Sequence, residues 1–200
     1  IKVAVIIMIL SLVCINLTQK VYAEESNIKK ILILNSYSQD FAWTDEQTRA
    51  ISEKLDSHET YISLYIEYMD CKNYPTQENI DYLYNYYKFK YQSMKIDIII
   101  TTDDAALQFA LENRAELFSD APIVFSGVNQ EGVDTITKGY DRVTGVLEVI
   151  DPTETIKIAK NINPSLKNIY LLYDNSTSGL STGNIVTNKI KAYDSNININ

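Results

Sequence analysis

The chain has 200 residues, 46% of them hydrophobic and 22% charged, with four Pro and six Gly. Those fractions exclude wholesale disorder and collagen-like architecture, and they fit one globular domain or one domain and the start of another. Eighteen basic residues against twenty-six acidic ones leave a net charge of −8, which argues against a nucleic-acid partner, whose phosphates need a basic footprint.

Lys2 precedes an apolar run over residues 3–15 that is broken only by Ser11. Polar Asn16, Thr18, Gln19 and Lys20 follow, then Val21-Tyr22-Ala23 and an acidic Glu24-Glu25. A short charged region, an apolar core and small residues before a cut after Ala23 describe a secretory signal over residues 1–23. The alternative is an uncleaved membrane anchor, although the run is shorter than the about 20 residues that span a bilayer. The chain begins at Ile rather than Met, which is read as a missing start. Either way the remainder is expected to be extracytoplasmic, secreted or anchored on the outer face of the cytoplasmic membrane. Cys14 lacks the small preceding residues of a lipidation signal, and cleavage would leave Cys71 alone, without an internal disulfide. No CxxC, HExxH or Cys/His cluster occurs, so neither a metal nor a cofactor is expected. His58, isolated between Ser57 and Glu59, reads as a surface residue.

From residue 28 onward strand and helix signals alternate. Residues 31–34 (ILIL) form a continuous apolar run closed by Asn35-Ser36, the pattern of a strand buried on both faces. Thr44 stands three residues before Gln47, a capping box that would open a helix carrying Ile51 and Leu55. Residues 61–69 (YISLYIEYM) are β-branched and aromatic, a second strand. Pro75-Thr76 opens a helix with Ile80, Leu83, Tyr84, Tyr87 and Tyr91 on one stripe. A third strand over 96–100 ends at Thr101-Thr102-Asp103-Asp104, a helix follows over 105–117, and a fourth strand over 123–125 ends at Ser126-Gly127-Val128-Asn129. Residues 143–149 (VTGVLEV) read as an extended crossing. Asp151 then caps a helix whose first turn holds Pro152 and whose apolar face begins with Ile156 and Ala159. A strand over 168–173 (NIYLLY) and a helix over 181–193 complete the chain. Strands joined by helices are parallel, so the expected architecture is a doubly wound α/β sheet.

In such sheets the binding crevice lies beyond the carboxyl ends of the strands. Three loops of mixed polar and aromatic character fall there: residues 35–43 (NSYSQDFAW), Asp103-Asp104, and residues 126–129 (SGVN). Each has a plainer reading. Trp43 could staple its helix, Asp103 or Asp104 could be an N-cap, and Ser126 and Asn129 could be turn residues. The tyrosines of the second helix read as packing and surface. No GxSxG, GxGxxG or Walker loop is present, so ligand binding without catalysis is expected, and no catalytic residue is assigned.

The ordered strings ILILNSYSQDFAWTDEQTRAI, YIEYMDCKNYP, IDIIITTDDAAL, PIVFSGVN and VTGVLEVIDPTETI together resemble the periplasmic-binding-protein-like family. That family includes substrate-binding proteins of ABC transporters and the extracytoplasmic sensor domains of bacterial sensor histidine kinases. The resemblance runs from about Ile31 to Ile156. It implies a type I fold of two α/β lobes closing on a small-molecule ligand, with a first lobe over residues 24–150 and an incomplete second lobe over 151–200. By position, it places ligand contacts at Ser36, Tyr37, Trp43, Asp103, Asp104, Ser126 and Asn129, with Glu148 near the hinge. The partner it implies is a downstream membrane signalling module for a sensor, or an ABC permease for an importer component.

Overall fold

Strands β1 (Lys29–Asn35), β2 (Ile62–Tyr68), β3 (Ile98–Thr102), β4 (Ile123–Asn129) and β5 (Val143–Glu148) form one sheet in the order β2-β1-β3-β4-β5, every adjacent pair parallel. The connecting helices are α1 (Ala42–Asp56), α2 (Gln77–Tyr91), α3 (Asp103–Leu117) and α4 (Gln130–Ile136). This computed structural model describes residues 28–57, 61–175 and 177–200; the signal or anchor at 1–23, Cys14 and His58 lie outside the described residues.

Alternation along the strands divides the sheet into two faces. Leu32, Leu34, Ile99, Ile123 and Phe125 meet Leu83, Tyr87 and Tyr91 of α2 and Leu107, Ala110 and Leu111 of α3 in the main core. The tyrosine stripe therefore packs as its helical spacing predicts, while Tyr82 and Tyr86 stack on the outside with ring centroids 6.4 Å apart. Ile31 and Ile33 are buried outside that cluster, on the opposite face. There α1 turns Thr44 and Thr48 inward, but toward the β5 edge the sheet stays open, with Val146 70% exposed.

Three local expectations are corrected and one helix is added. The segment at 143–149 is not a free crossing: residues 143–148 pair with β4 from Ile123↔Val143 to Asn129↔Glu148. The unforeseen helix between them, α4, has seven residues including Gly132, too few turns to show a 3.6-residue period. The capping box at Thr44 does not form. The chain reverses at Asp40 (φ +67°), Phe41 takes the N-cap position without a side-chain bond, and Asp45 Oδ1 accepts from the Asp40 amide at 3.2 Å. Thr44 consequently falls within the first turn, buried. Only Asn168–Ile169 of the NIYLLY segment is strand (β6), paired with β7 (Asn198–Ile199). Beyond that two-residue ladder Leu172 is 94% exposed.

After β5, α5 (Thr153–Ile162) and α6 (Thr177–Tyr193) pack with β6 and β7 around Ile156, Ile190 and Ile197. Pro152 rather than Asp151 takes the N-cap position of α5, outside its first turn, while Asp151 Oδ1 from one residue earlier accepts from the Thr153 amide at 2.9 Å. Among the described residues, Lys189 Nζ donates to the Ile150 carbonyl just after β5 at 2.6 Å, and Lys72 in the loop after β2 pairs with Asp174 at 3.1 Å.

Candidate functional site

The chain leaves β1 toward β2 on one side and returns to β3 on the other. That reversal opens a crevice at the carboxyl ends of β1 and β3, where doubly wound sheets bind ligands. Its floor is polar and closed. Asn35, at the end of β1, is fully buried; its Oδ1 accepts from Thr48 Oγ1 and Thr102 Oγ1, both at 3.0 Å, and its Nδ2 donates to the Glu67 carbonyl at 3.2 Å. Ser36 is equally buried. Its hydroxyl donates to the Thr102 carbonyl at 2.6 Å and accepts from the Ala106 amide at 2.8 Å. That second bond satisfies one of the orphan amides opening α3, a task expected of Asp103 or Asp104. Neither aspartate is the N-cap, because Thr102 occupies that position and both aspartates lie in the first turn.

Freed from capping, the aspartates turn in different directions. Asp103 has φ +65°, a left-handed conformation that Asp tolerates better than most side chains, and faces α1. Its Oδ1 accepts from Trp43 Nε1 at 2.9 Å and its Oδ2 lies 3.5 Å from Gln47 Nε2. Gln47 Oε1 in turn accepts from Ser126 Oγ at 2.9 Å. Gly127 (φ +70°) closes this chain: a Cβ there would lie 3.1 Å from Asp103 Oδ1 and 3.2 Å from Gln47 Oε1. Trp43 is held by its indole nitrogen at the rim yet remains 45% exposed, so it is not a buried staple. Asp104 faces β4, where it accepts from the Asn129 amide at 3.3 Å and from Asn129 Nδ2 at 2.8 Å. Glu148 stands directly across the register from Asn129.

The three carboxyls share one electrostatic environment. Burial chiefly, then the charges of Asp104 and Glu148, push the Asp103 carboxyl up to about 7 against the hydrogen bonds from Trp43 and Gln47. Burial also raises Asp104, opposed by its bonds from Asn129, and it raises Glu148 together with the charge of Asp104. No Lys or Arg pairs with any of the three among the described residues.

Tyr37 stands on the other flank. It meets Phe41 edge-on at 5.6 Å, and Lys72 Nζ lies 5.7 Å from its ring centroid and 5.1 Å from that of Phe41. Tyr37 and Asp104 both line a cavity of about 250 Å³ with Cys71, Tyr74, Pro75 and Ile80. Burial, then the charge of Asp70, pushes the Cys71 thiol up to about 11, so it is no nucleophile at neutral pH. Among the described residues no group of His, Cys, Asp and Glu could hold a metal ion.

The structure thus brings Trp43, Asp103 and Ser126 into one network and Asp104 and Asn129 into another, with Glu148 and Tyr37 alongside and Ser36 beneath. Gln47, Phe41, Lys72 and Tyr74 were not foreseen. The loop after β2 also leaves the carboxyl edge of the sheet, so the strand-end rule that selected the other three loops applies equally to Lys72 and Tyr74.

No family model and no curated protein matches the sequence. The fold does match solved structures. One is a conserved domain protein from Vibrio cholerae, at 14% identity and a TM-score of 0.57, over 86% of this chain and 55% of that one. A ligand-free, open substrate-binding protein with adhesive properties from Clostridium difficile matches at 16% identity and a TM-score of 0.54, over 86% and 56% of the two chains. The solute-binding protein of an ABC transporter from Rhodopseudomonas palustris, in complex with 3,4-dihydroxybenzoic acid, matches at 11% identity and a TM-score of 0.57, over 86% and 46%. The fold is that of the type I periplasmic binding proteins, and the chain spans about half the length of the structures it matches.

Proposed function

We propose that this chain belongs to an extracytoplasmic binding domain that closes two lobes on a small-molecule ligand and acts as the sensor part of a bacterial signal-transduction receptor. On this reading residues 24–150 are the first lobe, residues 151–200 begin the second, and Glu148 lies at the hinge. The observation that carries it is the crevice at the β1/β3 switch point. Two hydrogen-bonded networks, a half-exposed Trp43 and a cavity of about 250 Å³ meet there, a combination of apolar wall and few convergent polar groups that suits small-molecule sites. Trp43, Tyr37, Ser126, Asn129 and the two aspartates contact the ligand, and Ser36 holds the floor. Binding selects the closed form and shifts its population. A substrate-binding component of an ABC importer uses the same closure, and the R. palustris protein of this fold supports that second reading. A transmembrane segment and signalling module in the full-length protein would decide for the sensor.

The test uses the only tryptophan in the sequence, Trp43. Its emission in the full-length protein should change on addition of a few members of a panel of amino acids, amines, sugars and organic acids, and small-angle scattering should show compaction with those members. A panel that leaves both emission and scattering unchanged refutes the site.

A further inference from the structure

We propose that the ligand is an organic cation, a protonated amine on an aromatic or apolar body, with its ammonium seated among Asp104, Asn129 and Glu148. The inference rests on the ligand-binding reading above and narrows it to a chemical class.

The three residues form a continuous row: Asn129 Nδ2 donates to Asp104 at 2.8 Å, and Glu148 is the register partner of Asn129 on the adjacent strand. Asn129 is only 6% exposed, and its Oδ1 has no hydrogen-bond partner among the described residues. A buried acceptor left without a donor is uncommon in native proteins and calls for an explanation. Here the missing donor adjoins carboxylates that pair with no Lys or Arg among the described residues. Among the described residues the charged group that acts on this row is a further carboxyl, Asp103 of α3, which Gln47 of α1 in turn approaches. The nearest cation on the cavity wall, Lys72, is paired with Asp174 and lies over the Tyr37 and Phe41 rings, so its charge is already balanced.

An ammonium group carries three N–H donors and no acceptor, the complement of two carboxylates and an amide oxygen. Its charge would also draw the raised carboxyls back toward ionisation. The adjoining cavity offers Tyr37, Tyr74, Pro75 and Ile80 to the rest of the molecule, surfaces for an apolar or aromatic body. A carboxylate in the same place would add a further negative charge to an uncompensated cluster. A neutral polyol could donate to Asn129 but would leave the charge standing.

Three probes sharing a phenol ring isolate the charge: tyramine, para-ethylphenol and para-hydroxyphenylacetate, titrated calorimetrically into the full-length protein at pH 8. Tyramine should bind about ten- to a hundredfold more tightly than the acid, the span of a charge-assisted hydrogen bond. Asp104→Asn and Glu148→Gln should each erode the preference of the site for the amine over the acid. Equal or tighter binding of the acid overturns the inference, as does a preference that survives both substitutions. So does the absence of tyramine binding at millimolar concentration, or calcium binding that tyramine cannot displace. If the acid or the phenol binds and Trp43→Ala abolishes that binding, the crevice remains a ligand site and only the charge class falls.

Discussion

Asp103→Asn should stabilise the protein in neutral and alkaline solution and do little in acid. The carboxyl lies almost wholly out of water, and burial moves it from an ordinary 3.8 up to about 7. Between those two values the folded chain keeps a proton that the unfolded chain has released. Stability from this group is therefore fully present below pH 3.8 and lost as pH rises through 7. At ~1.4 kcal/mol per unit, a shift of about three units corresponds to a loss of ~4 kcal/mol across the window. Asparagine suits the test because it tolerates the φ of +65° at this position and keeps an oxygen for the Trp43 indole. Urea denaturation of both proteins at intervals from pH 4.5 to 8.5 gives the difference in unfolding free energy. The gap should widen in favour of the variant up to about pH 7 and then level off. Trp43 emission supplies a second readout, titrating near pH 7 in the parent and flat over that range in the variant. A stability difference that does not depend on pH, or one that favours the parent more as pH rises, would refute the assignment.

Three further outcomes follow from the same geometry. Gly127→Ala forces a side chain into φ +70°, against Asp103 and Gln47; it should cost about 1–2 kcal/mol, seen as a lower urea midpoint together with a shift in Trp43 emission. Ser36→Ala leaves the buried Ala106 amide and the Thr102 carbonyl without the hydroxyl. A loss of about 1–3 kcal/mol is expected, and a midpoint equal to the parent's would show that the hydroxyl is not needed there. Leu32→Ala empties a fully buried position in the middle of the sheet and should lower unfolding free energy by about 2–5 kcal/mol, with the far-ultraviolet circular dichroism unchanged at low temperature.

How far the sequence specifies this molecule depends on the length scale of each signal. Apolar runs such as residues 31–34 and the Leu83–Tyr87–Tyr91 stripe identify elements because burial repeats along them. The strand-end rule then selects the carboxyl edge of the sheet for the candidate site. What stays hidden is decided between elements. VTGVLE has the same composition whether it crosses between lobes or pairs with β4, and only the unfilled edge of β4 settles the matter. Thr44 and Gln47 have capping-box spacing, yet the left-handed turn at Asp40 begins the helix three residues earlier and swings Gln47 into the crevice. The adjacent aspartates look alike in sequence. Their division of labour follows from the backbone conformation of Asp103 and from Ser36, remote in the chain, taking the capping role.

The two tiers of this crevice differ in how readily they accept change. Asn35, Ser36 and Thr102 bind one another and the main chain, so altering them disturbs the joints between strands and helix. Trp43 and Gln47 meet on the Asp103 carboxylate and Ser126 joins them through Gln47, by side-chain bonds. A rim assembled in this way is an exchangeable part: its chemistry can drift, or be redesigned, while the folding of the sheet beneath it goes on undisturbed.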